Sequence, residues 1–460
     1  MGDPVAELAP RFERSVASFA RTHRLAGAAA GVVHGGDLVW SGGTGFADVE
    51  RRRPSAASTL YRIASITKTF TALAVMQLRD EGALRLDDPI VSHLPEFSAA
   101  TNPFGPIEDV TVRRLLTHES GLMGDPDGTD WGLRTYPPLE ETLEHPNRVR
   151  VVIPPDSASK YSNLGFRLLG EIVSRRSGIS YEDRVRQAIL EPLGMASTTF
   201  APDGDLADRR ATGYDGRVVS DELTPARGRD LASAGAEGGL WSSVEDLARW
   251  ISLQFRTDAG DRGGSQVLAA SSLAEMHRMR IITDDGWTDA FGLGFYGIRR
   301  GDHVFVGHSG GFFGFTGDIR FHPGSRTGAI VLVNGDGEAE KLSVELAGAA
   351  REAAADVVVP SVPAPMPPDY DPLLGRYVLD GLADVFTVEW RDGALTFVDP
   401  SVQRDHPTLV ADRGPDVFRV RTGRDAGEPA VFLRTSGGRV RAVRVATQTY
   451  ARLEPVARDG

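Results

Sequence analysis

The chain contains no cysteine, almost no lysine and no long apolar run, and each shortage removes a class of protein. Without cysteine there are no disulfides, no thiolate metal sites and no cysteine nucleophile. Lysine occurs only at Lys68, Lys160 and Lys341 among 51 basic residues. Arginine stays protonated, whereas lysine can be tuned to act as a base, so a lysine kept at position 68 stands out. No stretch is long and apolar enough to span a bilayer. The N-terminus, MGDPVAELAPRFERSVASF, lacks a basic start followed by an apolar run, so no secretory signal is read and a cytoplasmic location without membrane contact is expected. The net charge of -12 argues against a nucleic-acid partner, which would need a concentrated basic surface. What is present, 41% hydrophobic and 25% charged residues over 460 positions, predicts a globular protein of two domains.

A helix is predicted over residues 5–22, then two strands in AAAGVVHGGDLVWSGGTG meeting at a Gly35-Gly36 turn. Residues 65–80 and 162–176 carry helical apolar spacing and stop before Gly82 and Gly178. Strands return at 303–307, 317–324 and 328–337, followed by a helix at 338–355. Strands at both ends with helices between predict an α+β catalytic domain over residues 1–356. Six prolines between Pro360 and Pro372 mark an extended, semi-rigid linker at 357–372. Short alternating strands from 373 to 460 predict a small antiparallel β-barrel.

Three groups of residues carry chemistry. Ser65-Ile66-Thr67-Lys68 puts a hydroxyl and an amine on one face of a helix start, where a buried lysine acts as base or polarises the serine as a cation. Ser157-Ala158-Ser159-Lys160 has the same spacing but follows Pro154-Pro155 and reads as loop. Tyr161-Ser162-Asn163 supplies a phenol for proton transfer and an amide to orient lysine and substrate. Gly307-His308-Ser309-Gly310-Gly311 joins a strand whose glycines admit a substrate backbone and whose amides can face an oxyanion. His308 is placed to donate a hydrogen bond to substrate or to Tyr161.

In this order the three groups resemble the serine β-lactamase and penicillin-binding-protein superfamily, in the style of class C β-lactamases, DD-peptidases and related esterases. LLTHESGL at 115–122, PDSASKYSNLGFRLLG at 155–170 and GGLWSSVEDLARW at 238–250 support it. The resemblance implies a β-lactamase/DD-peptidase-like fold, an antiparallel sheet flanked by helices with an all-helical region. It makes Ser65 the nucleophile, Lys68 and Tyr161 the proton-transfer pair and Asn163 an orienting group. The amides of Ser65 and Gly311 would form the oxyanion hole beside Gly310. His118 and Glu119 are read as packing residues. β-Lactamases and transpeptidases carry lysine where this chain has His308, and histidine there resembles D-aminopeptidases, esterases and peptide cyclases.

The C-terminal barrel resembles the lipocalin-like domain of stand-alone penicillin-binding-protein-type thioesterases, which off-load and cyclise nonribosomal peptides ending in a D-residue. The expectation is therefore acyl transfer through a Ser65 acyl-enzyme, with head-to-tail cyclisation of a peptide delivered as a peptidyl thioester or ester, from a carrier protein. Arg452 in the barrel is a candidate substrate contact. The alternative is a cytoplasmic serine hydrolase, a D-amino-acid peptidase, amidase or carboxylesterase. A third is an inactive peptide-binding protein. No metal or organic cofactor is expected.

Overall fold

The computed structural model describes residues 2–130, 136–215, 223–226, 235–256, 267–356, 365–379, 384–391, 393–398 and 406–453. The chain divides into two compact units, Met1–Val357 and Val358–Gly460.

The first unit opens with helix α1 (Ala9–Thr22), which has proline in its first turn and buries Phe12 and Val16. Strands β1 (Gly27–His34) and β2 (Asp37–Asp48) follow. The turn between them is Gly35-Gly36, with φ of +65° and +115°, values that glycine alone adopts without strain. Helix α2 (Thr67–Asp80) is buried on every side from Thr67 to Leu78, so it runs through the centre of the domain rather than along its surface. Helix α3 (Asn163–Ser177) is capped by the Ser162 hydroxyl and closed by left-handed Gly178. Helix α4 (Val244–Gln254) is capped by Ser243.

Four long strands complete the sheet: β3 (Tyr296–Arg300), β4 (His303–Phe312), β5 (Phe315–His322) and β6 (Thr327–Val333), followed by helix α5 (Ala339–Asp356). The sheet has nine strands, in the order Arg53–Pro54, β2, β1, β6, β5, β4, β3, Asp289–Phe291 and Ile281–Ile282. The two ends of the domain meet at its middle, where β1 runs antiparallel to β6 from Ala28 opposite Val333 to His34 opposite Thr327. One face packs against α1 and α5 through Val32, Trp40, Val331, Leu342 and Leu346. The other faces the helical region through Ile66, Phe70, Trp250, Ile319 and Ile330, with Phe70 stacked on Trp250 at 3.8 Å between ring centroids. This is the antiparallel sheet flanked by helices that the sequence resemblance implied.

One difference from the expectation bears on the site. Strand β4 continues to Phe312, so His308–Gly311 lie inside it and not beyond its end. Its pairing with β3 covers His303–Gly307, and among the described residues β4 has no strand partner on that side from His308 onward.

In the second unit eight antiparallel strands close into a barrel: Gly375–Leu379, Asp384–Arg391, Ala394–Val398, Thr408–Ala411, Val417–Val420, Pro429–Arg434, Val440–Val445 and Gln448–Arg452. Tyr377, Phe386, Phe397, Phe418 and Phe432 fill it. Residues 357–364 of the expected linker lie outside the described residues. Pro368–Leu373 form a 3-10 helix rather than extended chain, since proline suits a helix start and Leu373 is drawn into the barrel core. Among the described residues, no helix is long and apolar enough to cross a membrane.

Candidate active site

Ser65 stands in a 3-10 turn (Ala64–Ile66) that leads into α2. Ala64 holds φ at +44°, a strained value for a residue with a side chain, of the kind that gathers at catalytic centres. The Ile63 amide donates to the Leu240 carbonyl at 3.0 Å, which ties this turn to the 238–250 segment.

Lys68, one helical turn on, is fully buried. Its Nζ donates to Ser65 Oγ at 3.0 Å, to Asn163 Oδ1 at 2.9 Å and to the Glu237 carbonyl at 2.8 Å. Asn163, the first residue of α3, is oriented in turn by its own Nδ2 donating to Asp125 Oδ1 at 2.9 Å. The Tyr161 ring centroid lies 5.0 Å from Lys68 Nζ. The expected serine, lysine, tyrosine and asparagine therefore converge, although 95 residues separate Lys68 from Asn163. Ser157 of the second Ser-x-x-Lys match sits in a turn, its hydroxyl donating to Pro154.

His118, read as packing, also positions Tyr161. Its buried ring lies 4.3 Å from the Tyr161 ring, its Nδ1 accepts from the Ser162 amide at 3.2 Å, and its carbonyl accepts from the Lys160 amide at 2.8 Å. Burial, reinforced by the nearby Lys68 charge, holds it well below the usual imidazole range. An imidazole kept neutral can accept that backbone hydrogen bond, whereas an imidazolium cannot.

On the third element a Cβ at Gly310 would collide with the Ile63 carbonyl oxygen, so glycine lets β4 lie directly against the nucleophile turn. A Cβ at Gly311 would meet open space. His308 is buried and pushed down to about 3, chiefly by burial and then by Lys68. Its Nδ1 donates to the Ser309 carbonyl at 2.6 Å. The neutral ring has one N–H, which this bond uses, so Nε2 can only accept. The expected hydrogen-bond donation from His308 to substrate or to Tyr161 is corrected accordingly.

Ser65, Tyr161, His308, Gly310 and Gly311 line a cavity of about 790 Å³. In the barrel, Arg452 donates to the carbonyls of Pro372 at 2.9 Å and Leu374 at 2.6 Å, tying the last strand to the entry of the first.

The sequence reading missed the carboxyl behind the lysine. The Glu237 side chain is buried, 3.9 Å from the Arg167 guanidinium, and burial pushes it up to about 7 against the pull of Lys68 and Arg167. Its stretch, AEGGLW, borders a segment noted for resemblance, but nothing in the spacing points an acid at Lys68. A carboxyl raised from 4.5 in the unfolded chain stabilises the fold fully below that value, and the contribution is lost as pH climbs toward 7. The stability difference between wild type and Glu237→Gln is expected to shift toward the variant by about 3 kcal/mol between pH 4 and pH 8, from the 1.4 kcal/mol worth of each pKa unit. Urea melts across that range test this; a difference that does not change with pH would mean that folding does not raise the carboxyl.

A serine hydroxyl bonded to a buried lysine, with a tyrosine over that lysine and a glycine-bearing strand against the nucleophile turn, on this sheet-and-helix frame, defines a serine acyl-transfer enzyme or hydrolase. The chain belongs to the β-lactamase family, whose model, described as Beta-lactamase, matches residues 12–354. It is similar to Penicillin-binding protein 4 of Amycolatopsis lactamdurans, 32% identical over 78% of this chain and 94% of that protein. Among solved structures it resembles the octameric penicillin-binding protein homologue from Pyrococcus abyssi, with 24% identity, a TM-score of 0.63, and coverage of 96% and 99% of the two chains. SurE is similar at 26% identity and a TM-score of 0.60, over 98% of this chain and 99% of SurE.

Proposed function

We propose that the enzyme takes a nonribosomal peptide ending in a D-residue from a carrier-bound thioester and closes it head to tail through a Ser65 acyl-enzyme. The observation that carries this reading is the third element. A neutral His308 stands where β-lactamases and transpeptidases, in the resemblance above, place a cationic lysine. The substrate end facing β4 then needs no carboxylate. The likeness to SurE, whose structure has been solved with D-Leu, supports a D-residue as the acylating group.

In this mechanism Lys68 withdraws the Ser65 proton while Oγ attacks the thioester carbonyl. The amides of Ser65 and Gly311 receive the oxyanion, and Tyr161 returns a proton to the departing thiol. The peptide's own amine then attacks the ester carbon, the bond to Oγ breaks, and the amine's proton passes through Tyr161 and Lys68 back to Ser65. Asn163 holds Lys68 in line and offers its amide to the substrate. In this reading the reaction runs in the cytoplasm, beside the carrier protein. A hydrolase acting on D-residue peptides is the second reading, and the match to the Beta-lactamase family model supports its hydrolase part.

Mass spectrometry of products from peptidyl thioesters ending in a D-residue separates the two. The expected product is lighter than the free acid by one water, and absent with Ser65→Ala. Linear acid alone would establish the hydrolase instead.

A further inference from the structure

The cavity that holds Ser65 is lined by two carboxylates, Asp156 and Glu340, and among the described residues by no lysine or arginine. Their surroundings differ. Asp156 is gripped by the Arg114 guanidinium through both carboxylate oxygens. Glu340, in the first turn of α5, reaches the Ser309 corner of the cavity with about a third of its side chain exposed. There its Oε2 accepts from Ser309 Oγ at 3.0 Å and from Arg320 Nη2 at 3.1 Å.

Arg320 pairs with Glu340 and with Asp318, so one guanidinium is set against two carboxylates. It is fully buried and gives two hydrogen bonds to the equally buried Asp318, at 3.1 and 2.9 Å, and a third to the Tyr296 carbonyl at 2.9 Å. The three charged groups leave one negative charge, and it lies on the member exposed to the cavity. His308 on the same strand is uncharged. Tyr296 also lines the cavity, its ring already engaged by the Arg320 guanidinium at 5.1 Å, so the surplus charge on Glu340 is what makes this corner suited to a cation and hostile to a carboxylate.

We propose that Glu340, held by Ser309, is a recognition subsite for the primary ammonium group of a peptide ligand. This rests on the reading that the cavity binds an acyl-transfer substrate. It adds that the ligand's free amine is recognised here, as closure of a chain onto its own N-terminus requires. The subsite holds the amine before chemistry, and no bond is made or broken in it.

The test uses the full chain carrying Ser65→Ala, with a linear peptide amide ending in a D-residue as probe. Its dissociation constant is measured by calorimetry with the N-terminus free and with it acetylated. Charge-assisted hydrogen bonds of this kind predict at least tenfold tighter binding of the free amine. Adding Glu340→Gln is expected to cut that preference below about twofold, and Glu340→Asp to keep part of it. Should the Gln variant fail to fold, pH serves instead. Raising it to about 10, past the ordinary range of a peptide amine, is expected to abolish the preference in the Glu340 protein. Equal affinities, no measurable binding of either peptide, or a preference that survives Glu340→Gln or the higher pH would overturn the proposal. Failure here alongside Ser65-dependent ring closure by the wild type removes the ammonium subsite alone. Failure of the functional reading is seen separately, in the wild-type products.

Discussion

Lys68→Arg is expected to slow acylation of Ser65 by a fluorophosphonate or an activated ester by about 1,000-fold, within the range attributed to general acid–base catalysis. The substitution keeps a basic side chain and changes its shape and its ability to release a proton. Nζ sits among three acceptors, Ser65 Oγ, Asn163 Oδ1 and the Glu237 carbonyl, all within 3.0 Å, in a fully buried position. A planar guanidinium with five donors in a fixed fork cannot place one nitrogen at their centre, and it does not surrender its proton. Rates read by intact-protein mass spectrometry, beside a thermal melt to confirm folding, decide the matter. Labelling within tenfold of wild type would mean that the serine proton leaves by another route.

The parts of the site that lay in short, patterned segments were legible before the fold was known. Ser65 and Lys68 sit three residues apart at the start of an apolar helix, so their closeness follows from helical geometry alone. Asn163 follows a serine cap and opens a second helix of the same kind. What could not be read was contact made by unpatterned chain. Asp125 reaches Asn163 from a loop, and Glu237 reaches Lys68 from a four-residue helix, Gly235–Gly238, too short for any period to report its facing. The strands at 281–282 and 289–291 are two and three residues long, too short for alternation to register, and Thr408–Ala411 in the barrel is only four. His308 is instructive in another way. Its place on the third element came from resemblance, but its hydrogen-bonding sense depends on a bond to its own neighbour's carbonyl that only coordinates reveal.

Asp318→Ala is expected to cost the catalytic unit about 3–5 kcal/mol, the usual penalty for breaking a buried ion pair from one side. Asp318 and Arg320 are two residues apart on β5, so their side chains leave the same face of the sheet, and both are fully buried. Burial raises Asp318 to about 6 even beside the guanidinium, so desolvation outweighs the attraction, and the pair is not where the fold gains its stability. Its removal is nevertheless costly, because among the described residues the guanidinium left behind keeps one carboxylate, the partly exposed Glu340, beside Ser309 and the carbonyl and ring of Tyr296. The Ser343 hydroxyl loses its acceptor on Asp318 as well. Urea unfolding should be followed by tryptophan fluorescence, with the two units analysed as separate transitions. Replacing both members by apolar residues of similar size, Asp318→Leu with Arg320→Met, is expected to recover most of the loss, since no charge is then stranded. A single Asp318→Ala change within about 1 kcal/mol of wild type would mean that Glu340 turns inward to neutralise Arg320. In that event the cavity would lose its surplus negative charge, and the free-amine preference expected of Glu340 should vanish in the same variant.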